Sequence, residues 1–342
     1  MAKYKSAIVG CGRIGSLFSK DKLRSGVVTH AAAYKDNSDI ELVAACDIDQ
    51  GRLKDFGATW DVKALYTDFE EMLRSETPDI VSICTWDYTH YDLVLKAVDA
   101  GVKAIFCEKP ISDNLEKADA MVELCKKNGV ILAVNHSRRW DMFENKIREY
   151  IRSGKLGDIR SVSAYYTAGI MNTGTHLIDL LGFFFGDVKW VWANPEIKGD
   201  APDPTLDGCL FFDRGFSCFL HGLDVNDYVI FEIDIYGEKG RLRIKNSGFD
   251  LKAWKSVDSP RFSGYKELEE TEPFVRDGYK NVLKNAVKDI VECMDNEQDP
   301  LSSGDDGGKA LEIICALHES IDMGGQRISL PLANRDITIK TK

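Results

Sequence analysis

Short, mostly apolar runs alternate with amphipathic stretches through the first 135 residues, and then the texture changes. Residues 7–9, 40–47, 79–85, 104–107 and 130–134 are strand-length apolar runs, the third entered through Pro78. Between them, 91–100 closes on Gly101 as a C′ residue, and 91–100 and 114–127 both read as helices. Strand and helix in alternation, roughly thirty residues per unit, predict a right-handed parallel βαβ stack whose ligand lies at the carboxyl ends of its strands. Beyond 135 the pattern predicts a helix over 143–153, an alternating strand over 160–167 and a largely apolar helix over 176–185. Strands then follow at 188–193, 208–212, 215–220, 228–236 and 241–244, with turns at 213–215 and 238–240 that predict a largely antiparallel sheet. Helices over 279–294 and 309–323 close the pattern, separated by a polar, glycine-rich loop over 296–308.

The first run carries chemistry. Residues 7–9 lead directly into Gly10, Gly12 and Gly15, the spacing G-x-G-x-x-G after a strand, with an amphipathic segment expected next. Gly10 permits the tight turn, Gly12 lets the main chain approach a pyrophosphate, and Gly15 allows close helix–strand packing. The helix N-terminus then offers free N–H donors to the anion. The second strand ends in Asp47, a carboxylate suited to both ribose hydroxyls of an adenosine and repelled by a 2′-phosphate, so NAD is favoured. The distance from the glycines to Asp47 exceeds the usual ~20 residues, and an inserted loop over 19–29 accounts for the excess. Arg13 and Arg52 leave NADP open. Thr85, Glu108, Lys109 and Asn135 stand at the other strand ends, where a ligand belongs.

The chain of 342 residues is too long for one ordinary core, so two domains are expected: a Rossmann dinucleotide-binding domain over 1–135, and an α+β domain over 136–342 with a large open, mostly antiparallel sheet. Such a sheet buries its open face on a partner, predicting a homodimer or homotetramer. A net charge of −11 argues against nucleic acid as a partner. No run of eighteen apolar residues predicts a membrane span, and a first strand so near the start leaves no room for a signal peptide. Nine scattered cysteines without a C-x-x-C pair fit reduced, buried thiols in a cytoplasmic protein and no metal site.

With Cys107-Glu108-Lys109-Pro110 the chain resembles the glucose–fructose oxidoreductase / inositol dehydrogenase (Gfo/Idh/MocA) family over essentially its whole length. The resemblance includes Gly10-Cys11-Gly12-Arg13-Ile14-Gly15, Thr85 with His90 five residues on, Gly174-Thr175-His176-Leu177-Ile178-Asp179, and Tyr236-Gly237-Glu238-Lys239-Gly240-Arg241-Leu242. It implies a bound nicotinamide dinucleotide and hydride transfer to or from a secondary hydroxyl of a sugar or polyol. Gly10, Gly12, Arg13, Ile14, Gly15, Asp47, Thr85, Trp86, His90, Glu108 and Lys109 are the expected cofactor residues. Lys109 and His176 are the expected catalytic pair. Removing hydride from an alcohol requires loss of its proton, a task suited to His176 near neutral pH. The Lys109 ammonium stabilises the developing alkoxide, and a cis bond to Pro110 would aim it at the substrate.

Asn135, Arg138, Arg139, Asn172 and Asp179 join Lys109 and His176 as expected substrate residues, with His136, Tyr166 and Asn226-Asp227-Tyr228 weaker candidates for pocket lining. Two guanidiniums beside Trp140 suit a phosphate or carboxylate. Many family members carry Asp four residues before the histidine, where this chain has Asn172, which cannot take a proton. The stretch 165–172 resembles members from surface-polysaccharide and sugar-nucleotide biosynthesis, implying oxidation of a nucleotide-sugar at its 3-position. Two alternatives remain at this level: a catalytically idle sensor, or an epimerase, dehydratase or hydrolase that oxidises transiently and retains its NAD.

Overall fold

The computed structural model describes residues 2–197, 201–275 and 280–339. The described residues gather into two compact units, the first drawn from Met1–Asp141, Lys280–Leu311 and Asp336–Thr338. The second is drawn from Met142–Tyr279, Glu312–Arg335 and Ile339–Lys342.

The first unit opens with β1 (Tyr4–Val9), α1 (His30–Asp36), β2 (Ile40–Cys46), α2 (Gln50–Trp60), β3 (Ala64–Tyr66) and α3 (Phe69–Glu76). It continues with β4 (Ile80–Ile83), α4 (Asp87–Asp99), β5 (Ala104–Cys107), α5 (Leu115–Lys127) and β6 (Ile131–Val134). The six strands form one parallel sheet in the order β3-β2-β1-β4-β5-β6. The order reverses between β1 and β4, the point at which an open α/β sheet leaves a crevice for a ligand. Both faces of β4 and β5 are covered, which is why they are apolar at every position or nearly so. Side-chain caps fix the helix starts: Asp49 accepts from the Gly51 and Arg52 amides, Asp68 from Glu71, and Asn114 from Lys117.

The amphipathic segment expected directly after Gly15 departs from a simple helix. The amides of Ser16 and Leu17 both donate to Gly12 O, making one turn, and the chain then leaves the axis. Helix α1 resumes at His30, whose N–H donates to Ile14 O at 3.0 Å, while Ala31 N–H donates to Gly15 O at 3.1 Å. In an uninterrupted helix those carbonyls would serve residues 18 and 19. His30 thus stands where residue 18 would, and 18–29 form a detour within one helical ladder. It falls where the sequence spacing placed an inserted loop.

The second unit holds α6 (Met142–Arg152), β7 (Ile159–Tyr166), α7 (Thr175–Phe185), β8 (Val188–Ala193), β9 (Gly208–Phe212) and β10 (Ser217–Gly222). There follow β11 (Phe231–Gly237), β12 (Gly240–Lys245), β13 (Asp250–Asp258) and β14 (Lys266–Thr271). With β15 (Ile328–Ser329) they make a nine-stranded sheet in the order β14-β13-β12-β11-β7-β10-β9-β8-β15. It is antiparallel except where β10 lies parallel to β7. One face is closed by alternating residues such as Val162, Ala164, Leu220, Ile233, Ile235 and Leu242. The other presents Trp190 stacked on Phe211, Tyr165 stacked on His221, and the Asp234–Arg241 and Glu232–Arg243 ion pairs.

Helix α8 (Val282–Asn296) belongs to the first unit, and α9 (Gly304–Asp322) begins in the first and ends in the second. The expected start of the first of these helices at Tyr279 lies outside the described residues. The glycines of the expected 296–308 loop have another cause. A Cβ at Gly304 would stand 2.8 Å from Leu132 Cδ2, and one at Gly307 would stand 2.9 Å from Val134 Cγ2. They mark the close packing of the α9 N-terminus on β6, not a turn.

Candidate functional site

Most of the predicted cofactor residues follow the strands at the carboxyl edge of the first sheet. The Gly10 amide donates to Cys46 O and the Cys84 amide to Val9 O, carrying the ladder of β2, β1 and β4 to that edge. Glu108 N–H donates to Ile83 O, and Asn135 N–H to Cys107 O, extending the edge through β5 and β6.

The three glycines have different surroundings. A Cβ at Gly10 would lie 2.6 Å from Cys84 O, and one at Gly15 would lie 2.1 Å from Gly10 O, so the protein's own main chain forbids both. Gly10 also has φ +94°, a region that side chains avoid. A Cβ at Gly12 would meet nothing within 4 Å. The space above Gly12 is open, and among the described residues the amides of Gly12, Arg13, Ile14 and Gly15 donate to no main-chain oxygen. A turn of unspent N–H groups under open space fits a diphosphate, and the interrupted helix leaves that feature intact. Arg13 is exposed at its rim, and Trp60 Nε1–H donates to Ser16 Oγ below.

Asp47 is buried at the end of β2, where its Oδ2 accepts the Cys11 amide at 2.7 Å and its Oδ1 the Asp49 amide at 2.9 Å. The carboxylate is therefore locked to the glycine turn, and each oxygen keeps a further lone pair for a ribose hydroxyl. Thr85 Oγ1 lies 2.7 Å from Thr89 Oγ1 at the start of α4, with Trp86 exposed beside it.

His90 is placed differently from a cofactor ligand. It is fully buried, its Nε2 turned to Thr85 O and its Nδ1 to Pro110 O and Ile111 O at 3.1–3.2 Å. It ties the end of β4 to the segment following Lys109. Burial holds its pKa below the usual histidine value, against the pull of those carbonyls. The Lys109–Pro110 bond is cis.

Glu108 lies just before Lys109, and its Oε1 accepts from Asn135 Nδ2 at 2.6 Å and from His30 Nε2 at 2.9 Å. Burial alone would raise the Glu108 carboxyl, but the hydrogen bonds and charges of His30, Asn135 and Lys109 outweigh it and hold it below the ordinary carboxylate value. Asn135 Oδ1 is buried without a hydrogen-bond partner among the described residues. Because Nδ2 is committed to the carboxylate, Oδ1 is an acceptor in wait for a donor.

The arginines separate. Arg139 is buried, with Nη2 3.1 Å from Asp306 Oδ1 and Nη1 donating to Leu301 O, so it anchors α9 and is spent for a ligand. Trp140 Nε1–H donates to Asp289 Oδ2 in α8. Arg138 is half-buried and His136 buried.

In the second unit, His176 is half-buried and Asp179 buried, one turn apart on α7. Asn172 lies exposed on the wide π-turned segment Gly169–Gly174 that leads into α7. A carboxylate does reach that segment, from a residue that sequence reasoning passed over. Asp203 accepts the Met171 amide on Oδ1 and the Asn172 amide on Oδ2, both at 2.9 Å. Tyr166 is not pocket lining: its hydroxyl is buried, donates to Leu206 O and accepts the Leu206 amide. Asn226, Asp227 and Tyr228 lie exposed after β10.

Residues 4–136 match the model of an oxidoreductase family with an NAD-binding Rossmann fold, and 166–330 match that family's C-terminal alpha/beta domain. The chain belongs to this Gfo/Idh/MocA oxidoreductase family. It is 33% identical over 220 residues to a D-apiose dehydrogenase of Paraburkholderia graminis, covering 58% of this chain and 55% of that protein's length. It is 28% identical over 341 residues to a myo-inositol 2-dehydrogenase of Thermotoga maritima, covering 92% and 95%. The fold is shared with the WlbA dehydrogenase of Bordetella pertussis, solved with NADH and UDP-GlcNAcA, at TM-score 0.76 and 22% identity over 96% of this chain and 99% of that one. Among the described residues no helix is long and apolar enough to cross a membrane, and no group of three or more His, Cys, Asp or Glu could hold a metal ion.

Proposed function

We propose that this protein moves hydride between NAD and a secondary hydroxyl of a sugar or polyol. The observation that carries this reading is the pinned Glu108-Lys109 pair on the same sheet edge as the open glycine turn. Gly12, Arg13, Ile14 and Gly15 would hold the diphosphate with their amides, Asp47 the ribose, and Thr85 and Trp86 the edge between them. Bound there, NAD supplies the hydride acceptor. Lys109 then stabilises charge on the alcohol oxygen, and Asn135 Oδ1 accepts from a ligand hydroxyl or amide. The alcohol proton is assigned to His176 by its residue type and by the Gly-x-His-x-x-Asp motif.

The finer reading is a nucleotide-sugar oxidised at its 3-position. It rests on the character of residues 165–172. The copy-to-copy partner of this reading is a homodimer or homotetramer through the open, aromatic face of the nine-stranded sheet.

The experiment is a panel of free sugars, polyols, glycosides and UDP-sugars, with NADH absorbance as the readout. Turnover confined to UDP-sugars supports the finer reading, and turnover of free polyols only removes it. No turnover with tightly copurified NAD would favour the transient-oxidation alternative.

Asp47→Ala is expected to weaken NAD by roughly tenfold, the loss of a charge-assisted pair of hydrogen bonds, while NADP weakens less. Calorimetric titration of both nucleotides checks this. Equal weakening would remove Asp47 from the ribose.

A further inference from the structure

His30 is the first residue of α1 and the point at which the broken helix resumes. It is wholly buried, its ring 4.3 Å from that of Phe106. Nδ1 lies 2.8 Å from Ser82 Oγ, which is itself 2.6 Å from the buried Tyr34 hydroxyl. Nε2 lies 2.9 Å from Glu108 Oε1. A carboxylate only accepts, so Nε2 carries the hydrogen of that bond. Glu108 Oε1 also takes Asn135 Nδ2–H, and Oε2 accepts the main-chain N–H of Lys109 at 3.3 Å.

One carboxylate thus collects donors from α1, from the end of β6 and from the Lys109 peptide itself. Burying a carboxylate is costly unless its lone pairs are satisfied, so such a group is held firmly only while all its donors are present. The chain of polar groups runs inward from Glu108 and ends at Tyr34, inside the core. What it can do is fix a geometry.

We propose that His30 is a positioning residue for Lys109: through Glu108 it holds the Lys109 main chain and sets where the ammonium stands. The proposal rests on the role given to Lys109 above.

The titratable groups facing Glu108 are His30 from α1, Lys109 beside it, Cys84 and Cys107 near the ends of β4 and β5, and His90 from α4. Burial pushes both thiols up and His90 down, and the neighbours that favour the charged form of Glu108 are His30, Asn135 and Lys109. His30 lowers the Glu108 pKa, so its loss lets Glu108 protonate at a higher pH.

The test compares His30→Leu, which removes the donor at similar volume, with His30→Gln, which offers an amide N–H in its place. Competitive acetylation of Lys109, read by mass spectrometry across the neutral to alkaline range, reports the lysine without any substrate. The Leu variant should stay folded and bind NAD as the parent does, yet show a displaced Lys109 acetylation profile. Its kcat should fall roughly tenfold to a hundredfold, the cost of a misplaced catalytic group, and the acid limb of its pH profile should move up. His30→Gln should restore much of both. A folded Leu variant with a superimposable acetylation profile and unchanged kcat overturns the proposal. If His30→Leu does not fold, Ser82→Ala takes its place: a smaller displacement in the same direction supports the proposal and none overturns it. Failure of every sugar in the panel would sink the function proposed above, and the acetylation readout would still decide the place of His30.

Discussion

Replacing Lys109 with alanine is expected to lower turnover about a thousandfold while leaving NAD affinity within a factor of about two, the signature of a group that acts on developing charge. The separation follows from the sheet. The glycine turn leaves β1 and Asp47 follows β2, whereas Lys109 lies past the end of β5, beyond β4 in the strand order. The residues proposed to anchor the dinucleotide therefore follow different strands from the lysine. Lys109→Arg should fail as well, because a guanidinium keeps the charge but not the compact, titratable ammonium. Steady-state kinetics on the substrate found in the sugar panel, paired with calorimetric titration of NAD, checks both halves. Unchanged turnover in Lys109→Ala would reject its catalytic role, and lost NAD binding would show it to be a cofactor anchor instead.

The second large effect separates two glycines of one motif. Gly15→Ala places a Cβ against Gly10 O, a main-chain atom that cannot step aside, and is expected to destabilise the first unit by roughly 3 kcal/mol. Gly12→Val enters open space and should leave the melting temperature unchanged, while weakening NAD on the order of a hundredfold by blocking the diphosphate from the turn amides. Thermal unfolding and NAD titration of the two variants give opposite patterns if the turn is a diphosphate cradle. Equal NAD binding by Gly12→Val and the parent would mean that the motif serves packing alone.

Much of this was legible in local pattern. Gly10, Gly12 and Gly15 after an apolar strand, an acid at the end of the next long strand, and Glu108-Lys109 at a later strand end each follow from period and position. The detour over 18–29 was legible as excess spacing, though not that the helix resumes across it. What was hidden depends on long-range pairing. His30 lies 78 positions from Glu108 in sequence, and nothing near His30 announces a carboxylate partner. Arg139 looked available beside Arg138, but Asp306 from α9 claims it. His90 looked like a cofactor residue, but its buried ring faces three carbonyls of the protein's own main chain. Gly304 and Gly307 read as loop because close helix–sheet packing and turns both demand glycine. The strands β13 and β14 were passed over because their exposed faces carry pairs such as Lys252–Glu270 and Lys255–Glu269, which blur the apolar alternation.

The decisive measurement for this protein is calorimetric titration with NAD, after release and mass-spectrometric identification of any nucleotide it already carries. One NAD site per chain is expected, tighter for NAD than for NADP and abolished or strongly weakened in Gly12→Val without loss of fold. A protein that carries no dinucleotide and shows no saturable binding of either would contradict it.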